Sequence, residues 1–159
     1  MSAMTNLLVK DDTVTTRVEF TLFPVTDTPK PMWRASVANV PVMGQPRLTA
    51  DVQPTKTGYM ATCKLEVPVM ETLGASGTSA GYVAPPKVAH VVTAIFTMFA
   101  DGRSTTQDRA NSLAMITGLL QGASSTTATG TLDQASAGNA FVGSTAPITS
   151  LFTSLLVPN

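Results

Sequence analysis

Two runs of strict alternation separated by a turn constrain this chain more than any other feature. From Arg47 to Gln53, Leu48, Ala50 and Val52 alternate with Arg47, Thr49, Asp51 and Gln53. From Tyr59 to Val67, Tyr59, Ala61, Cys63, Leu65 and Val67 alternate with Met60, Thr62, Lys64 and Glu66. A period of two belongs to a strand with one dry and one wet face. Pro54-Thr55-Lys56-Thr57-Gly58 between them reads as a hairpin loop. Folded that way, the two polar rows lie side by side on one sheet surface.

The rest of the first hundred residues also reads as strands and turns. Val14 to Leu22 alternates, with Val14, Thr16, Val18, Phe20 and Leu22 on one face. Pro24, Pro29 and Pro31 are expected to interrupt it, because proline cannot donate to a ladder. A short strand at Met32 to Val37 carries Trp33, and Pro41, Gly44 and Pro46 make the next break. Pro68 is expected to end the strand that begins at Tyr59. Leu73 to Pro86 is a long Gly/Ser/Pro loop. Lys87 to Phe99 is the longest strand candidate and is apolar on both faces in its second half. Such a strand wants cover on both sides or a neighbouring chain along its edge.

After residue 100 the pattern changes to helical. Ser104 and Gln107 have capping-box spacing, and Leu113, Ile116 and Leu120 with Met115 and Leu119 form a stripe ended by Gly122. Residues 123–145 are rich in Ser, Thr, Ala and Gly and read as a loop or insertion. Pro147 to Val157 reads as a second short helix, with Ile148, Leu151, Phe152, Leu155 and Leu156 on one stripe. The expected class is therefore α+β. It is one domain over 1–159, with a sheet region (1–100), a helix (104–122), the insertion (123–145) and a C-terminal helix (147–157).

Charge and composition narrow the function. Ten basic residues balance ten acidic ones, so any nucleic-acid binding must come from local placement of charge. A low-charge surface favours burial in an assembly. No signal peptide is visible and no stretch is long enough to cross a bilayer as a helix, which predicts a soluble, cytoplasm-made protein. Catalysis has little support. His90 and Cys63 are the only histidine and cysteine, and they read as a packed histidine and a small buried thiol. Asp11-Asp12 reads as a solvated turn, and Gly74 to Gly81 lacks the Gly-Lys-Ser/Thr of a phosphate loop. No catalytic residue, metal site, cofactor or small-molecule substrate is expected.

A sheet with one polar face, followed by two terminal helices, resembles the coat proteins of the single-stranded RNA bacteriophages, the levivirus type. The run from Tyr59 to Pro68, ending Lys64-Leu65-Glu66-Val67-Pro68, carries the likeness most clearly. Trp33 in a short strand, a Gly-rich loop closing on Pro85, Ile95 to Ala100 and Leu119-Leu120-Gln121-Gly122 match in order and spacing. The resemblance covers about residues 5–122 and the last dozen or so. The insertion at 123–145 departs from the well-known members, and the loop at Pro54–Gly58 is shorter than in some relatives.

The resemblance implies an RNA-phage coat fold: six or seven antiparallel strands, an N-terminal hairpin plus a main sheet, then two helices, in an intertwined dimer. It implies self-assembly into a T=3 icosahedral virion shell and no membrane partner. The inner sheet face would bind single-stranded viral RNA, including a hairpin whose occupation represses translation. The matching RNA-facing positions are Thr49, Asp51, Gln53, Thr62, Lys64 and Glu66, the polar rows already found by alternation. Ala89, Val91 and Thr93 match on the last strand, where the family often has aromatic or amide side chains. Arg47 shares the face. By itself Lys64 reads as a solvated strand lysine; the resemblance makes it the leading phosphate contact. A different reading of the same pattern is a β-rich surface or adhesin-type assembly subunit without RNA binding.

Overall fold

The computed structural model describes residues 4–13, 17–71, 86–123, 125, 141–142, 144–155 and 157. They fall into two compact units, one of residues 1–9 and 20–101, the other of 10–19 and 102–159.

The first unit is built on a six-stranded sheet whose spatial order follows the chain: β1 (Leu7–Lys10), β2 (Glu19–Thr26), β3 (Met32–Ala35), β4 (Arg47–Pro54), β5 (Gly58–Met70) and β6 (Val88–Asp101). Neighbours from β2 to β6 pair antiparallel. The expected hairpin loop is present, with the Thr55 N–H donating to the Gly58 carbonyl at 2.8 Å. The loop expected at Leu73–Pro86 lies almost entirely outside the described residues, as does most of the 123–145 segment.

Two prolines do not break strands as the sequence suggested. Pro24 lies inside β2 opposite Trp33, next to a register shift before Thr26. An irregularity of that kind is where a ladder tolerates a missing N–H. Pro68 lies inside β5 opposite Val91. The pairing of β4 with β5 ends at Arg47 and Glu66, so no β4 residue pairs with β5 at Pro68. A proline there need not remove a ladder bond.

The buried core of this unit is small. Leu22 and Ala35, opposite one another on β2 and β3, are 1% and 2% exposed. Gly44, in a 3-10 turn at Val42–Gly44, is also buried, and a Cβ there would run into Val40 and Met70. Most other apolar side chains of the sheet remain accessible. Cys63 and His90 are exposed, contrary to their expected burial. Both lie on the apolar face, Cys63 opposite Phe96 and His90 opposite Val69. The single chain leaves that part of the face uncovered.

The second unit holds helices α1 (Thr106–Leu120) and α2 (Pro147–Ser154). The cap of α1 sits one residue later than expected. The Thr105 hydroxyl accepts from the Asp108 N–H at 3.2 Å, and the Asp108 carboxylate accepts from the Thr105 N–H at 2.9 Å. Aspartate at this position completes the box as glutamate or glutamine does. Gly122 takes φ 95°, the left-handed geometry of a helix stop. Pro147 opens α2, and buried Thr149 donates to the Leu120 carbonyl at 3.0 Å, tying the helices together. Along α1, Ile116 and Leu120 are half-buried, whereas Leu113, Met115 and Leu119 stay exposed. In α2, Ile148 and Leu151 are half-buried and Phe152 is exposed.

The aspartate pair is more than a solvated turn. Asp11 accepts from the Val18 N–H at 2.7 Å and from Thr13. Asp12 accepts the N–H groups of Phe141 and Val142, each at 3.0 Å, and lies 3.6 Å from the Arg17 guanidinium, whose side chain is 7% exposed. Substitution of Asp12 by alanine strips two N–H groups of their acceptor and removes a carboxylate from beside a buried cation. Such losses cost about 3 kcal/mol. Asp12→Ala is therefore expected to lower the thermal unfolding midpoint by several degrees, with Asp12→Asn intermediate, in a calorimetric scan of the purified chain.

Candidate nucleic-acid interface

Cross-strand register decides which side chains share a surface. Arg47 stands opposite Glu66, Thr49 opposite Lys64, and Asp51 opposite Thr62. Farther across, Glu66 faces Thr93 and Pro68 faces Val91. Directly opposed residues lie on one face, so Arg47, Thr49, Asp51, Thr62, Lys64, Glu66, Val91 and Thr93 occupy the same surface. Gln53 joins it opposite Met60. Ala89 lies beside the register shift at Met70 and shares the surface by alternation with His90.

The same register adds residues that the sequence reading did not name. Ile95, Thr97 and Phe99 continue the surface along β6, opposite Lys64, Thr62 and Met60. Alternation carried onward from Thr93 would have found them. Arg34 enters opposite Arg47 and Met32 opposite Thr49. Lys30 reaches in from the turn before β3 to place its Nζ 2.6 Å from an Asp51 oxygen.

The charges are organised. Asp51 is held by Lys30 and accepts from the Gln53 amide at 2.7 Å. Glu66 takes the Lys64 amine on one oxygen at 2.9 Å and the Arg47 Nε on the other at 2.8 Å. The bond from Lys64, helped by the charge of Arg47, holds the Glu66 carboxyl below the usual range. Lys30, followed by Gln53, does the same for Asp51. A depressed carboxylate contributes stability above its ordinary pKa and loses it as pH falls through the lowered value. Both networks are therefore ionised at neutral pH. Between Thr62 and Thr97 the hydroxyl oxygens lie 3.4 Å apart.

Across β3, β4 and β5 four cations (Lys30, Arg34, Arg47 and Lys64) accompany two carboxylates (Asp51 and Glu66), so this part of the surface is locally positive although the whole chain is neutral; Asp101, opposite Gly58, adds a carboxylate at the far end of β6. The two acids sit between cations, spacing them and fixing their side chains. Threonine hydroxyls and a glutamine amide add neutral hydrogen-bonding groups. This combination suits a phosphate backbone with adjacent sugar and base edges. Among the described residues no group of histidine, cysteine and carboxylate side chains could hold a metal ion. No described helix is long and apolar enough to cross a membrane.

A sheet with one charged open face, an exposed apolar long edge strand and a terminal helix pair defines a structural, assembling class of protein. Comparison with known proteins makes the class specific. The family model for levivirus coat protein matches residues 2–153, and the chain belongs to that family. Its role is that of a structural capsid component and not an enzyme. The subunit of the virus-like particle of bacteriophage EMS014 is 43% identical over 99% of this chain and 100% of that one, with a TM-score of 0.87. The bacteriophage EMS014 coat protein is 42% identical over the same shares, with a TM-score of 0.84. The virus-like particle of bacteriophage NT-214 shares the fold at a TM-score of 0.69 and 17% identity, over 99% of this chain and 100% of that one. No curated protein sequence matches the chain.

Proposed function

We propose that two copies of this chain join edge to edge through β6, that the dimers close into a T=3 icosahedral shell, and that the charged sheet face lies inward on single-stranded RNA. One observation carries the reading. β6 runs for 14 residues and is last in the sheet order, paired only with β5 among the described residues. Its side chains include Val91 at 45% exposure, Val92 at 56%, Ile95 at 62% and Phe99 at 74%. A long apolar edge with unpaired N–H and carbonyl groups is a template for another strand. A second β6 arranged about a two-fold axis satisfies both edges with the same surface. The exposed apolar side chains of α1 and α2 supply cover for the partner's apolar sheet face.

Pairing the edges doubles the charged face and makes it continuous, which suits binding of an RNA hairpin. Occupation of such a hairpin would repress translation of a viral gene. The chain is then made in the bacterial host cytoplasm and ends in the virion. Nothing in the structure favours the adhesin-type alternative over a coat protein. Sedimentation of the expressed chain after nuclease treatment tests the reading. Rapidly sedimenting particles that retain protected RNA are expected; a stable monomer free of RNA contradicts it.

Cys63 offers a local check. It is exposed on the apolar face of the single chain, and the partner's helices cover that face in the proposed dimer. Alkylation is expected to be slow in intact particles and to reach one equivalent rapidly once urea dissociates them. Equal rates in both states would contradict the proposed cover.

A further inference from the structure

One row of side chains crosses almost the whole sheet. Phe23 on β2 stands opposite Arg34 on β3, Arg34 opposite Arg47, Arg47 opposite Glu66, and Glu66 opposite Thr93. At a strand spacing of about 4.8 Å the five positions span roughly 19 Å. The row brings two arginines together with a single carboxylate. Like charges directly opposite one another repel, and Glu66 is already bonded to Arg47 and Lys64. Arg34 has no ion pair or hydrogen bond among the described residues. Among the described residues no negative charge is paired with Arg34.

Beside Arg34 the surface is hollow. A shallow, largely open depression of about 640 Å³ lies among Phe23, Val25, Arg34, Ser36, Val42 and Gln45. Phe23 is 42% exposed there, although an aromatic ring gains from cover. The Gln45 amide is fixed at its rim by donation to the Val40 carbonyl at 3.1 Å. An aromatic face beside an uncompensated guanidinium is the pairing used to hold single-stranded nucleic acid. The ring stacks a base, and the planar fork takes the adjoining phosphate through two parallel bonds.

We propose that Phe23 and Arg34 form a single-stranded RNA subsite, extending the RNA path across β3 to β2 beyond the surface of β4, β5 and β6. It rests on the RNA-binding reading of the Lys64 surface. Arg34 receives a phosphate and relieves its repulsion with Arg47, while Phe23 stacks the neighbouring base. Because stacking accepts any base, the subsite contributes affinity without sequence choice.

The test is fluorescence anisotropy of a labelled, unstructured single-stranded RNA of mixed sequence titrated with purified full-length dimers at several salt concentrations. Arg34→Gln is expected to reduce the slope of log affinity against log salt by about 0.7 for each chain engaged, and Arg34→Lys to retain it. Phe23→Leu is expected to weaken binding on the order of tenfold at fixed salt with the slope unchanged. Phe23→Tyr, which keeps a stacking ring, is expected to bind like the original chain and guards against a folding defect in the leucine variant. If Lys64→Gln lowers the slope while Arg34→Gln and Phe23→Leu bind as the original chain does, the subsite is overturned and the RNA reading stands. If the original chain binds the probe without salt dependence, the RNA reading fails and takes the subsite with it. An Arg34→Gln chain that loses assembly but keeps full RNA affinity also overturns the proposal, since the hollow is then a protein contact.

Discussion

Val92→Asp is expected to abolish dimers and particles while leaving the sheet of the single chain intact. Val92 lies on the apolar face of β6 opposite Val67, and the two are 56% and 38% exposed. In an isolated chain a carboxylate at this position stays hydrated and costs little. In the proposed dimer it is buried under the partner's helices with no cation to meet it. An uncompensated buried charge costs about 3 kcal/mol or more. The two-fold repeats that cost, so the loss is roughly 6 kcal/mol, or about four orders of magnitude in the dimer dissociation constant. Val92→Ile preserves shape and polarity and is expected to assemble. Size-exclusion chromatography over a concentration series measures the effect; unchanged particle yield from Val92→Asp would show that this face is not an interface.

The second large effect concerns charge on the opposite face. Replacing both Arg47 and Lys64 with glutamine removes the two cations that flank Glu66. In the proposed RNA complex the Glu66 carboxylate is left without its neutralising partners, and repulsion adds to the loss of two attractions. If both cations contact phosphate, a dimer loses four such contacts. The salt slope for single-stranded RNA is then expected to fall by about 2.8. Affinity at low salt is expected to drop by well over a hundredfold, read by anisotropy on dimers. Substituting Glu66→Gln alone should act in the opposite direction, strengthening non-specific binding, because it releases both cations. A double variant that binds RNA with the original slope would place the RNA elsewhere.

Much of this architecture was legible because alternation is a local signal. The polar rows on β4 and β5 show in the alternation from Arg47 to Gln53 and from Met60 to Glu66, and the register places them side by side. The terminal helices showed in the stripe around Ile116 and in Pro147 at the start of α2. The errors came where local rules depend on neighbours. Pro24 and Pro68 carry the local signature of strand breakers, yet each sits where the ladder tolerates a missing N–H. Strand β1 was missed as a separate element, since four residues at Leu7–Lys10 give too little periodicity.

Long-range features were hidden for a different reason. The Asp12 carboxylate bonds backbone groups about 130 positions away in the chain, a pairing with no sequence signature. The burial expected for Cys63 and His90 failed because the described residues of the single chain leave both exposed; in the proposed dimer the partner covers them. Hydrophobicity announces that a face will be covered without saying by which chain. Arg34 and Phe23 escaped notice because β3 is only four residues long and β2 carries a register shift. Alternation there is too short to show which side chains join the wet face.

A near-atomic image reconstruction of the assembled particle tests the central claim most directly. It is expected to show β6 of two chains side by side and antiparallel, with Lys64 and Arg47 of both turned toward the interior. Particles in which β6 has no strand from a second chain beside it, or in which Lys64 points to the outside solvent, would contradict it.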